Sequence, residues 1–219
     1  MSGGLRRESR LLTIEGGEGA GKSTVLRALR DALVADGFEV VSTREPGGTP
    51  LAERIRGLLL DPSHEPAAPE TELLLMFAAR AQHVREVVLP ALARGAWVVS
   101  DRFTDSSYAY QGHARGLDQA FIAELERRVV GIEPGLTLLL DLGVAHGRER
   151  TRGRDLLGGA GPDRIERERD DFFERVRAGF LARARAHPDR VEVIDASPAA
   201  VTVAAAAVAA LARYRAGLR

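Results

Sequence analysis

Cysteine is absent from the 219 residues. That excludes a disulfide framework and any thiolate chemistry. Lysine is nearly absent: it occurs once, at Lys22. Net charge is absent as well, since 31 basic and 31 acidic residues cancel to a formal +0. No global field therefore favours nucleic acid or a membrane surface. No uninterrupted apolar stretch reaches membrane-spanning length. The five histidines never pair at i, i+4, so a zinc site is not expected. The opening MSGGLRRESR carries basic residues, but the apolar run after it is only four residues, short of a secretory core. The expectation is a cytoplasmic protein whose residues 1–10 form a loose tail. Hydrophobic residues make up 45%, enough for a real core, and the length suits a single domain over residues 11–219.

The lone lysine marks the stretch around which the chain is organised. Gly16-Gly17-Glu18-Gly19-Ala20-Gly21-Lys22-Ser23-Thr24 contains G-x-x-x-x-G-K-[ST] and follows the apolar run Leu11 to Ile14 and Glu15. Glycines let the backbone turn tightly and leave room for phosphate oxygens. Successive N–H groups then point inward, and a helix starting near Lys22 aims its positive end at the same charge. Lys22 is placed to reach β- and γ-phosphates, and the Ser23 hydroxyl to bind Mg²⁺. A chain that otherwise uses arginine keeps one compact ammonium here.

Leu11 to Ile14 reads as a buried first strand. Ser23 to Ala35 spaces Val25, Leu26, Leu29, Leu33 and Val34 for a helix, ended by Asp36-Gly37. Glu39 to Thr43 reads as strand two, and the crossover implies a parallel sheet. Arg44-Glu45-Pro46-Gly47-Gly48-Thr49 is a charged turn beyond that strand, where open parallel sheets bind ligands. Arg44 is a candidate for a second substrate's phosphate; a plain Pro-Gly turn is the alternative. Thr49 to Leu60 looks helical. Thr71 to Leu92 reads as one long helix bent near Pro90, with Arg80 either snorkelling or bound to an anion. Trp97 to Ser100 is strand three, and Asp101 follows it as a second nucleotide motif does, its carboxylate helping to hold Mg²⁺. Phe103 to Asp118 is dense in Tyr, Ser and Gln, which suits base recognition or a polar surface loop. Gln119 to Val130 is an amphipathic helix and Leu136 to Leu140 is strand four. Arg148, Arg150, Arg152 and Arg154, then a Gly-rich stretch to Pro162, read as a mobile flap over phosphates or as a solvated helix face. Asp163 to Ala186 resumes a helix, Val191 to Ile194 is strand five, and an Ala-rich helix ends the chain.

Five stretches together resemble the bacterial thymidylate kinase family: EGGEGAGKST from Glu15, TREPGGTPLAERIRGLLLD from Thr43, TELLLMFAARAQH from Thr71, DRFTDSSYAYQG from Asp101 and DRIERE from Asp163. The loop alone says only P-loop NTPase; the second and fourth stretches are specific in combination. The resemblance runs from about Leu11 to Ser197. It implies an α/β P-loop NTPase fold of three layers, with a five-stranded parallel sheet in the order 2-3-1-4-5. It also implies an Arg-rich lid over about residues 146–164. The implied reaction moves the γ-phosphoryl of ATP to dTMP, with Mg²⁺, in a homodimer that binds neither nucleic acid nor membrane. By resemblance, Arg44, Arg80 and Arg102 hold the acceptor phosphate, and Glu18 lies near the sugar and the metal network. Ser107, Tyr110 and Gln111 form the base and sugar wall, with Tyr110 disfavouring a 2′-hydroxyl. Arg150 and Arg152 match the lid arginines that serve where the loop itself has none. Asp101 and Ser23 match the metal positions, Asp101 through water.

The chain departs from the family where an aromatic residue usually stacks on thymine. An ungapped count back from Arg80 lands on Met76, with Phe77 next. Either the Met76 sulfur packs on the base, which the count favours, or Phe77 takes that place. His113-Ala114 also replaces two glycines common in the family. Competing functions are a kinase for another nucleoside or nucleoside monophosphate, a P-loop ATPase and a nonenzymatic nucleotide-binding protein. Arg44 and the 107–111 stretch argue for a second small-substrate pocket. Lys22, Ser23, Asp101 and the lid arginines argue for catalysis.

Overall fold

The computed structural model describes residues 4–63, 65–156 and 163–218. Five parallel strands form one sheet in the order β2-β3-β1-β4-β5. They are β1 (Arg6–Gly16), β2 (Val40–Arg44), β3 (Trp97–Asp101), β4 (Ile132–Asp141) and β5 (Val191–Asp195). β1 is central, between β3 and β4, as its continuous apolar run suggests.

Side chains alternate across the sheet and split the core in two. Leu12 and Ile14 of β1, Trp97 and Val99 of β3 and Leu138 and Leu140 of β4 face one layer. That layer is α1 (Lys22–Ala35), through Val25, Leu29 and Leu33, and α9 (Ala200–Ala216), through Val203, Ala207 and Leu211. Leu11 and Val98 face the other layer, with Leu73, Phe77, Val84 and Val88 of the long helix and Ile122 of α6 (Gln119–Leu125). That helix is α3 (Pro69–His83) and α4 (Leu89–Ala93), joined by a wider turn at Val84–Val88. There the Leu89 N–H reaches back five residues to the Val84 carbonyl, just before Pro90, which has no N–H to donate. The Ala-rich α9 is therefore a packed layer, not a solvated rod.

Three boundaries differ from the sequence expectation. Residues 6–10 are not loose: β1 starts at Arg6, and Arg6, Arg7 and Glu8 pair with Ile132, Glu133 and Pro134. Ladder bonds use backbone groups, so a polar strand end can form wherever a neighbour extends beside it. Arg7 fixes this one by donating to Asp189. Second, residues 144–156 of the arginine-rich stretch form α7 (Val144–Leu156). The stretch from Gly158 to Pro162 and the Arg154 side chain, both read as flap, lie outside the described residues. Third, α8 begins at Asp170, not Asp163, and runs to Ala186. Asp163 accepts from the Ile165 and Glu166 N–H groups at 2.9 Å each, and Arg148 takes the Glu166 and Glu168 carbonyls, which holds 163–169 as a turn. No described helix is long and apolar enough to cross a membrane.

Candidate active site

Parallel strands bring the ends of β1, β2 and β3 to one side of the sheet, and the loops beyond them meet in a cavity of about 290 Å³. Glu18, Gly19 and Lys22 reach it from the loop after β1, and Arg44, Glu45 and Pro46 from the turn after β2. Met76 and Arg80 come from α3, and Asp101 and Arg102 from the end of β3. Ser107, Tyr110 and Gln111 close the far wall, on α5 (Thr104–Ser107) and the wide helical turn Tyr108–Ala114. Arg56 of α2 (Pro50–Leu60) and Asp163 and Glu166 complete the rim.

Two glycines of the loop have positive φ and also no room for a side chain. Gly16 has φ 139°, and a Cβ there would stand 2.5 Å from the Leu140 carbonyl oxygen. Gly19 has φ 69°, with the Gly147 carbonyl oxygen 2.5 Å from its notional Cβ. Lys22 folds back and donates to the Gly16 and Gly17 carbonyls at 3.2 and 2.8 Å. Burial, with help from the Arg102 charge, pushes the Lys22 ammonium down to about 8. Ser23 is exposed at the start of α1, while Asp101 Oδ1 is buried with no hydrogen-bond partner among the described residues. Both line one surface depression beside the loop.

Arg102 is held in a strained position. Its φ is 71°, uncommon for a residue with a Cβ. The Arg102 N–H donates to Ile14 at 2.9 Å, and Nη1 and Nη2 donate to Ser106 Oγ at 3.2 Å and the Tyr110 hydroxyl at 3.1 Å. Glu15 lies beneath, fully buried, 3.9 Å from Arg102. Glu15 accepts the Phe103 and Ser106 N–H groups and the Ser106 hydroxyl. Burial pushes its carboxyl up to about 7 against the pull of Arg102. Glu18 is also pushed up to about 7, by burial and then by Glu166.

Arg80 is neither snorkelling nor free: it is 3% exposed and fully directed. Nε donates to Glu45 at 2.6 Å, Nη1 to Ser107 Oγ at 3.0 Å and Nη2 to the Phe103 carbonyl at 3.0 Å. Glu45 also binds His83 Nδ1 at 2.8 Å, and the other ring nitrogen meets Thr43 Oγ1 at 2.6 Å. Burial would raise the Glu45 carboxyl, but Arg80 and His83 hold it below the usual carboxylate range. Met76 lines the cavity and Phe77 does not. Phe77 is buried in the core with its ring 4.8 Å from the Arg80 guanidinium. Counting four residues back from Arg80 stays on one helix face, which is why Met76 shares the cavity.

Arg44 stands at the mouth, donating to Glu53 at 3.0 Å. Gln111 is buried and donates to Glu72 at 2.9 Å. The two arginines expected in a lid are elsewhere. Arg150 donates to the Ala196, Ser197 and Pro198 carbonyls and, at 3.5 Å, to Gly19. Arg152 is exposed, and neither lines the cavity. Spacing singles out neither Glu45 nor Glu72, because their side-chain partners lie 35 to 92 residues away in the chain. The one available signal concerned Glu45, which stands between Arg44 and Pro46 in a turn; Glu72, between Thr71 and Leu73 on a helix, carried none.

A family model described as thymidylate kinase matches residues 14–206. A thymidylate kinase of Chromohalobacter salexigens is 55% identical over 204 residues, covering 92% of this chain and 94% of that protein. One of Pseudomonas fluorescens is 57% identical over 187 residues, covering 85% and 87%. A crystal structure of thymidylate kinase from Ehrlichia chaffeensis superposes with a TM-score of 0.73 at 30% identity, covering 94% of this chain and 98% of that one.

Proposed function

The chain belongs to the thymidylate kinase family, and on that premise we propose that it transfers the γ-phosphoryl of ATP to dTMP, giving dTDP and ADP, in dTTP synthesis. One observation carries the reading: a single cavity runs from the phosphate loop at Lys22 to a base-sized wall at Met76, Ser107 and Gln111. A nucleotide lying along it presents its 5′-phosphate to the loop. That phosphate is largely a dianion at neutral pH, so an oxygen attacks the γ-phosphorus without a general base. The bond to the β-bridging oxygen breaks and ADP leaves.

Catalysis is then positioning and charge. The loop N–H groups and Lys22 hold the donor phosphates. Arg102, fixed by Glu15, Ser106 and Tyr110, and Arg44 hold the acceptor phosphate. Arg80, which the resemblance places among the arginines of the acceptor phosphate, donates with Ser107 to the base from its position one turn beyond Met76; Met76 covers the base's face, and the Tyr110 ring packs under the sugar beside Glu18. Arg150 and Arg152 act from the lid. Ser23 and Asp101 fit Mg²⁺: a free hydroxyl and a buried unpartnered carboxylate oxygen are hard donors beside the loop. When held there, Mg²⁺ would supply positive charge against that of the donor phosphates. The chain acts as a homodimer; exposed Leu51 and Leu58 of α2 and Leu74 of α3 support a shared apolar face. ADP release from ATP and Mg²⁺ is measured with a panel of nucleoside monophosphates. dTMP gives the highest kcat/KM; a flat panel, or equal release without acceptor, overturns the reading.

A further inference from the structure

Glu72, Met76 and Arg80 follow at i, i+4 and i+8 on α3 and share one face. Met76 and Arg80 line the cavity, while Glu72 sits behind it, 1% exposed. Its Oε1 accepts from Gln111 Nε2 at 2.9 Å and its Oε2 from Arg164 Nη2 at 2.6 Å. Arg115 approaches both oxygens, at 3.4 and 3.3 Å. Arg164 is itself anchored, donating to the Leu59 and Leu60 carbonyls. Burial would raise the Glu72 carboxyl, but these hydrogen bonds and charges hold it below the usual range. It is therefore an acceptor only.

Gln111 is buried and lines the cavity. A primary amide can be turned end for end, exchanging a two-donor nitrogen for an acceptor oxygen. Against an ionised carboxylate only one orientation makes a hydrogen bond. The nitrogen faces Glu72, and Oε1, which accepts nothing from the described residues, is left for the cavity.

We propose that Glu72 is a positioning residue that sets base specificity, locking the Gln111 amide so that an acceptor oxygen meets the bound base. The cavity then takes a pyrimidine edge carrying a ring N–H, as in thymine, and rejects one carrying a ring lone pair, as in cytosine. This rests on the dTMP reading above. A mismatched pair would leave two acceptors facing each other at a side chain that is 1% exposed.

The test compares kcat/KM for dTMP and for 5-methyl-dCMP, which keeps the methyl group and changes only the pairing edge. Three proteins are used: the unsubstituted chain, Glu72→Gln, and the exchange Glu72→Gln with Gln111→Glu. Thermal melts run alongside. In Glu72→Gln the introduced amide accepts or donates, so Gln111 can take either orientation. The preference for dTMP falls roughly tenfold, mainly through KM. In the exchange, position 111 again presents only an acceptor, and the preference returns to within about threefold of the starting value. A folded Glu72→Gln protein with an unchanged preference overturns the inference, whatever its melting temperature. If that variant melts below the assay temperature, the exchange decides alone, and a lost preference there overturns it. No turnover of dTMP by the unsubstituted chain would instead overturn the functional reading, and this inference with it.

Discussion

Removing the Glu45 carboxylate strips two buried groups of their partner at once. Glu45→Ala leaves Arg80, 3% exposed, without its 2.6 Å acceptor and His83, 0% exposed, without its 2.8 Å acceptor. Arg80 keeps Ser107 and the Phe103 carbonyl, but both are neutral and neither offsets the charge. Breaking a buried ion pair by deleting one member costs about 3–5 kcal/mol, and that is the expected loss of stability. Glu45→Gln keeps the volume and one acceptor, so a loss of about 1.5–3 kcal/mol is expected, the worth of one charged hydrogen bond. The sign with pH follows from the lowered Glu45 carboxyl: its contribution is present above the ordinary value of 4.5 and is lost as acid protonates the folded protein below that. Urea denaturation gives the stabilities, and calorimetric titration should show weaker dTMP binding in both variants. A double-mutant cycle with Arg80→Ala should show strong coupling. Destabilisation of Glu45→Ala by less than about 1 kcal/mol, or a cycle that is simply additive, refutes the reasoning.

Three further outcomes are expected. Met76→Phe should tighten dTMP binding by about 0.5–1.5 kcal/mol if the ring fits, whereas Phe77→Leu should lower the melting temperature more than it changes affinity; titration and melts on both variants check this, and the reverse pattern would make Phe77 the base contact. Tyr110→Ala should raise the relative kcat/KM for ribothymidine monophosphate, while Tyr110→Phe keeps the ring and loses only the Arg102 hydrogen bond; an unchanged ratio in the Ala variant removes the steric account. Because burial raises the Glu15 carboxyl from 4.5 to about 7, the fold should lose stability as pH rises across that window. Glu18, raised to about 7 as well, contributes a slope of the same sign, so Glu15→Gln should reduce the slope by up to about 3 kcal/mol without abolishing it, and urea midpoints from pH 5 to 8 with an undiminished slope would show Glu15 not to be responsible.

What was legible in the sequence followed local rules. The phosphate loop is nine consecutive residues whose glycines answer to their own φ angles, and the strands declare themselves by alternation on either side of Leu11 and Leu12. Met76 was reachable because helical spacing is fixed. Arg80 was not: the choice between snorkelling and binding was decided by Glu45, 35 residues earlier, on another element. The strand character of Arg6 to Glu8 was hidden for the same reason, since the pairing partner is Ile132 to Pro134 and the side chains are polar. The seat of Arg150 on the carbonyls after β5 depends on where α7 ends up against that turn, which no residue near 150 encodes.

The central claim is transfer between two nucleotides in one cavity, and phosphorus NMR of the reaction mixture tests it most directly. ATP, dTMP and Mg²⁺ are incubated with the protein, and with a Lys22→Ala variant shown by its melt to be folded. The expected result is one dTDP β-phosphorus formed for each ATP γ-phosphorus lost, with no accumulation of inorganic phosphate, and almost no conversion by the variant. Loss of γ-phosphorus to inorganic phosphate while dTMP stays unchanged would contradict the claim, as would full conversion by Lys22→Ala.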